Sequence, residues 1–165
     1  MSEATPSPVT LAAALEREHR DIDGGIEAFT GQLASDNNDT TPLATAMAGL
    51  RRHIYLEEEF LFPPLRDAGM TMPIFVMLRE HGELWDSMDA LDALLVGSAT
   101  SETVMNACRE LLAQLDRHNA KEEPIIYTQA DGILSAEASG ELRAFLEAGH
   151  TPEGWVCAKA GATAG

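Results

Sequence analysis

The sequence predicts an all-α fold, an up-down-up-down four-helix bundle with a short fifth helix and a C-terminal tail. Three observations predict it. Apolar residues return every three or four positions along four successive stretches, the period of one helix face and not the alternation of a strand. Short polar or glycine-containing breaks separate these stretches, and short connections favour antiparallel neighbours. Four of the five histidines and two glutamates fall on or beside the apolar seams, at matching heights along the helices.

The first helix is expected to open at Ser7-Pro8, an N-cap followed by a proline whose fixed φ suits a first turn. Its seam runs Leu15, His19, Ile22, Ile26, Phe29 and Leu33. Gly24 and Gly25 weaken that helix by about 1 kcal/mol each relative to alanine and allow close approach of a neighbour. After the polar stretch from Ala34, Thr41-Pro42 repeats the start signal. The second seam runs Met47, Leu50, Ile54, Glu57 and Leu61, with His53 beside it. Pro63-Pro64 lack amide protons and should kink its end.

Gly69 and Gly97 are candidate left-handed helix ends. Between them lies the third seam, Ile74, Met77, His81, Leu84, Met88, Leu91 and Leu95. The fourth runs Val104, Cys108, Leu111, Leu115, His118, Glu122 and Ile125, loosened at Pro124. A fifth helix is expected from Ser135 to Ala148, and His150 to Gly165 reads as a loop and tail, with His150 at the surface.

At 165 residues the chain fits one domain, with a bundle core over about 8–131 and the C-terminal helix and tail over 132–165. A formal net charge of −16 argues against nucleic acid and against anionic membranes, both of which need lysine and arginine. No apolar run approaches the roughly 20 residues that span a bilayer. The opening Met1-Ser-Glu-Ala-Thr-Pro-Ser lacks a basic start and an apolar stretch, so a cytoplasmic location is expected. Cys108 sits on a seam as a small apolar residue, Cys157 reads as a free thiol in the tail, and no C-x-x-C pair is present.

The polar residues on the seams carry the chemistry. His53-Ile-Tyr-Leu-Glu57 and His118-Asn-Ala-Lys-Glu122 are two copies of H-x-x-x-E, each presenting an imidazole and a carboxylate on one helix face. His19 and His81 stand singly on the other two helices. At roughly 1.5 Å per residue, the members of each histidine pair sit within about 5 Å of the same height. Burying six polar groups at one level is costly unless something binds them together, and metal ions are the simplest such partner. Imidazole and carboxylate without thiolate suit iron or manganese better than structural zinc. Phe60, Phe62, Trp85 and Tyr127, near the motifs, read as core packing, and Asp23, one turn after His19, as a hydrogen-bond partner for that imidazole or a solvated residue.

The order His19, His53-x-x-x-Glu57, His81, His118-x-x-x-Glu122 resembles the haemerythrin-like, or HHE cation-binding, domain family, together with Glu57-Glu58-Glu59-Phe60-Leu61-Phe62-Pro63 and Lys121-Glu122-Glu123. The resemblance covers about Leu11 to Asp131. It implies two non-haem iron ions, oxo- or hydroxo-bridged, one capped by His19 and His53 and the other by His81 and His118, with Glu57 and Glu122 between them. It also implies a small diatomic or peroxidic ligand, O2, NO or peroxide, and a part in redox or oxidative and nitrosative stress protection. Peroxidase- or catalase-like turnover fits the same centre; the alternative is an iron or oxygen sensor, or an iron reservoir without turnover.

Two departures stand out. Oxygen-carrying haemerythrins place a further histidine where this chain has Met77, and an aspartate five residues after the last histidine where this chain has Glu122 at four. Four imidazoles, two bridging carboxylates and a single-atom bridge give roughly ten metal bonds, against about twelve for two six-coordinate ions. About two positions therefore remain for Glu58, Glu123, Tyr55, water or an external ligand.

Overall fold

The computed structural model describes residues 9–162, and among them all regular structure is helical. The helices are α1 (Leu11–Ala34), α2 (Thr41–Leu56), α3 (Phe62–Asp67), α4 (Thr71–Val96), α5 (Ser101–Glu122), α6 (Thr128–Ile133) and α7 (Ala136–Ala148). Two π-helical turns, Glu57–Leu61 and Glu123–Tyr127, join α2 to α3 and α5 to α6. No described helix is long and apolar enough to cross a membrane.

The helix starts differ from expectation in informative ways. Thr10 caps α1, its hydroxyl accepting from the Ala13 amide, while Ser7-Pro8 lies outside the described residues. At α2 the Thr41 side chain does not cap; Asp39 accepts from both its amide (3.0 Å) and its hydroxyl (2.8 Å), and Pro42 takes its place in the first turn. Gly25 does permit close approach, since a methyl there would stand 2.9 Å from Ala46 Cβ, whereas Gly24 faces open space. Gly69 adopts the left-handed conformation that closes α3, at φ 104°. Gly97 instead leaves α4 extended, with φ −94° and ψ −164°.

The proline effects appear as the π turns. Pro63, Pro64 and Pro124 cannot donate to a helix and crowd the carbonyl four residues earlier, and a wider turn relieves this without ending the rod. The Phe62 amide accordingly reaches back to the Glu57 carbonyl. One extra residue per turn also rotates the residues beyond it. Ile125, expected on the fourth seam, is exposed, and Ile126 and Tyr127 turn inward in its place.

The apolar core falls into two clusters. One contains Ile22, Ile26, Leu50, Ile54, Leu84 and Leu115; the other contains Leu15, Leu56, Phe62, Met77, Ile126 and Tyr127. Along the chain each seam histidine lies between a member of one cluster and a member of the other, so the polar residues form a layer between two dry regions. The final segment is irregular but ordered by contact: Cys157 is buried against the first cluster, and Trp155 packs on Trp85. Burial pushes the Cys157 thiol up to about 12, away from the thiolate form, and the side chain packs in the core. Cys108 is buried as its seam position predicts.

Candidate metal centre

Helical spacing and the packing of α1, α2, α4 and α5 bring all six predicted residues together. His19, His53, Glu57, His81, His118 and Glu122 are each at most 4% exposed, and the two glutamates are wholly buried. They fall into two sets, His19, His53, Glu57 and Glu122, and Glu57, His81, His118 and Glu122. Within each set one donor atom per residue lies within 4.8 Å of the others. The carboxylates belong to both. Glu57 Oε1 lies 3.5 Å from His53 Nε2 and 3.1 Å from His81 Nε2. Glu122 presents Oε1 to His19 Nε2 at 3.1 Å and Oε2 to His118 Nε2 at 3.4 Å.

The opposite edge of every imidazole is held by a further carboxylate. His53 Nδ1 donates to Glu18 (2.8 Å), His81 Nδ1 to Glu58 (2.7 Å), His118 Nδ1 to Glu80 (2.9 Å) and His19 Nδ1 to Glu123 (3.2 Å). This fixes each ring with Nε2 facing inward, the arrangement that orients imidazole ligands on metals. Glu18 is in turn held by Arg52, Glu80 by Lys121, and Glu58 by the Ala158 amide of the tail at 3.0 Å. Glu58 and Glu123, considered above as metal donors, are thus committed to imidazoles. Tyr55 stands apart in an aromatic cluster with Phe60, Phe145 and Trp155. Asp23 makes no hydrogen bond to His19; Glu123 takes that place, and Asp23 Oδ1 is unpartnered.

The donor set fits a cation. With Nδ1 protons given to carboxylates, the inward Nε2 atoms and the glutamate oxygens present lone pairs to one another. Protons alone balance this with difficulty. Burial works against a charged His53 or His118, yet the carboxylates of Glu57 and Glu122 and of their outer partners outweigh it and raise both pKa values to about 10. Even so, Asn119 Oδ1 is a buried acceptor without a hydrogen-bond donor, and Glu122 Oε2 has only His118 Nε2 at 3.4 Å, outside hydrogen-bond geometry. Cations satisfy lone pairs that protons leave unpaired.

Two features escaped the sequence reading. Glu18 and Glu80 each immediately precede a seam histidine, a repeated Glu-His step that was available as a signal. Tyr127, read as core packing, is wholly buried, but its hydroxyl enters the centre. Tyr127 Oη lies 2.8 Å from Nε2 of both His19 and His53, 2.9 Å from Glu57 Oε2 and 3.0 Å from Glu122 Oε1.

No curated protein and no solved structure matched the chain significantly. The profile of the hemerythrin HHE cation binding domain matches residues 10–130, which include every residue of the centre just described. With that match over most of its length, the chain belongs to the hemerythrin HHE cation-binding domain family.

Proposed function

We propose that this chain is a single haemerythrin-like domain that holds two non-haem iron ions and binds O2, NO or peroxide in protection against oxidative or nitrosative stress. The long helices α1, α2, α4 and α5 form the up-down-up-down bundle that carries the centre, with α7 and the tail packed outside it. One ion is held by His19 and His53, the other by His81 and His118, and Glu57 and Glu122 join the two. The observation that carries this reading is the sharing of two wholly buried carboxylates between two imidazole pairs. A mononuclear site has no use for such sharing.

The residues of the chain divide the work. Glu18, Glu58, Glu80 and Glu123 keep the Nδ1 protons and leave the Nε2 lone pairs for the cations. Glu57 and Glu122 offset the cationic charge inside a low-dielectric layer. The apolar clusters on both sides exclude bulk water. Iron, when bound, supplies a redox-active pair able to take up a small diatomic or peroxidic ligand.

The test is iron content together with optical spectra of the reduced protein before and after exposure to O2, NO and H2O2. Two irons per chain and a spectral response to at least one of these ligands are expected. Sustained removal of H2O2 assigns an enzyme, and a single reversible stoichiometric change assigns a carrier. Iron that binds without any spectral response to the three ligands would contradict the proposal.

A further inference from the structure

The two proposed iron positions share one frame and differ in the aromatic ring beside it. Nine residues after His53 stands Phe62, which stacks on His81 with ring centroids 5.3 Å apart; nine residues after His118 stands Tyr127, which stacks on His19 at 5.2 Å. Phe62 directly follows the first π turn, and Tyr127 is the last residue of the second. Only the second aromatic carries an oxygen.

That oxygen has more neighbours than hydrogen bonding can use. A hydroxyl offers one proton and two lone pairs, yet Tyr127 Oη faces four polar atoms at 2.8–3.0 Å, two of them carboxylate oxygens that both require a proton. Metal coordination accounts for the number. In an octahedron with bonds of about 2.1 Å, each donor has four adjacent donors at about 3.0 Å. The four neighbours of Tyr127 Oη are one donor atom from each member of the His19, His53, Glu57, Glu122 set.

We propose that Tyr127 is a fifth protein donor to the ion held by His19 and His53, so that small external ligands bind at the ion held by His81 and His118. This rests on the di-iron reading above. The second position has Phe62 where the first has the phenol, and Met77 beside it in the same apolar cluster. Met77 also lines an apolar surface pocket of about 170 Å³ with Pro73, Val76, Lys121, Ile125 and Ile126.

The experiment uses the full-length ferric protein, its iron content, its visible absorption and its resonance Raman spectrum, with azide as the ligand probe. The wild type should show a phenolate-to-iron band with enhanced tyrosine ring vibrations. Tyr127→Phe should lose both while keeping two irons. Azide should bind the wild type without displacing the phenolate band, and Phe62→Tyr should weaken azide binding at least tenfold. Two irons without a phenolate signature in the wild type, or azide displacing that signature, would overturn this inference and leave the di-iron reading intact. Failure to bind iron would overturn both. Because the wild-type spectrum alone decides the ligand question, a poorly folded variant does not rescue the inference.

Discussion

The halves of the molecule before and after Gly69 are two versions of one device. Each supplies a Glu-His step on one helix, Glu18-His19 or Glu80-His81, and an H-x-x-x-E-E run on the next, from His53 to Glu58 or from His118 to Glu123. In each, the first glutamate of the run is wholly buried, and the second reaches the single histidine of the other half. The halves therefore complete one another, and neither holds a full ligand set by itself. They differ in what surrounds this common frame. The first half contributes Phe62 where the second contributes Tyr127. Glu58 is braced by the C-terminal tail and its side chain is 5% exposed, whereas the corresponding Glu123 side chain is 35% exposed. Common residues make the centre, and unequal ones make its two positions distinct.

The largest expected effect comes from breaking what the halves share. Glu57→Ala or Glu122→Ala removes a donor from both sets and should leave little metal at either position. His81→Ala should empty mainly one. Elemental analysis of the purified variants distinguishes these outcomes, and equal losses from the glutamate and histidine variants would break the comparison. Metal stabilises the folded chain by mass action, so the glutamate variants should also melt lower, by about 5–15 °C for the loss of roughly 3 kcal/mol.

A smaller effect sharpens the difference between the halves. Glu58→Gln and Glu123→Gln each weaken the hold on one imidazole, and losses of an outer partner of this kind cost about 10–100-fold in metal affinity. The buried, tail-braced Glu58 should stand at the upper end and the part-exposed Glu123 at the lower, as read by competition with a chelator. The reverse order would remove any role for the tail in the second position.

The reach of the sequence was set by what each signal encodes. The clustering of the six buried residues and the helices were legible because helical period and histidine spacing are local properties of the chain. Glu18 and Glu80 were not found, since an acidic residue beside a seam reads as a solvated neighbour until the partner helix is placed against it. Tyr127 packs in the core as expected, but its hydroxyl was not foreseen because an aromatic at helical spacing looks like packing alone; it is the last residue of the second π turn. Ile125, within the same turn, is exposed. The tail had no periodicity to reveal that its backbone lies against Gly82 and holds Glu58.

A further effect, on stability and not on metal affinity, concerns that tail. A methyl at Gly82 would overlap the Lys159 backbone, while one at Gly24 meets nothing within 4 Å. Gly82→Ala should therefore cost about 1–3 kcal/mol and loosen the segment over α4, whereas Gly24→Ala should stabilise by about 1 kcal/mol. Denaturant midpoints report both, and hydrogen exchange at the Ala158 amide reports the loosening directly.

The most direct test of the central claim is anomalous scattering at the iron edge from crystals of the iron-loaded protein. The account predicts two peaks per chain, one against His19, His53 and Tyr127 and the other against His81 and His118, with Glu57 and Glu122 between them. A single peak, or peaks away from these residues, would contradict it.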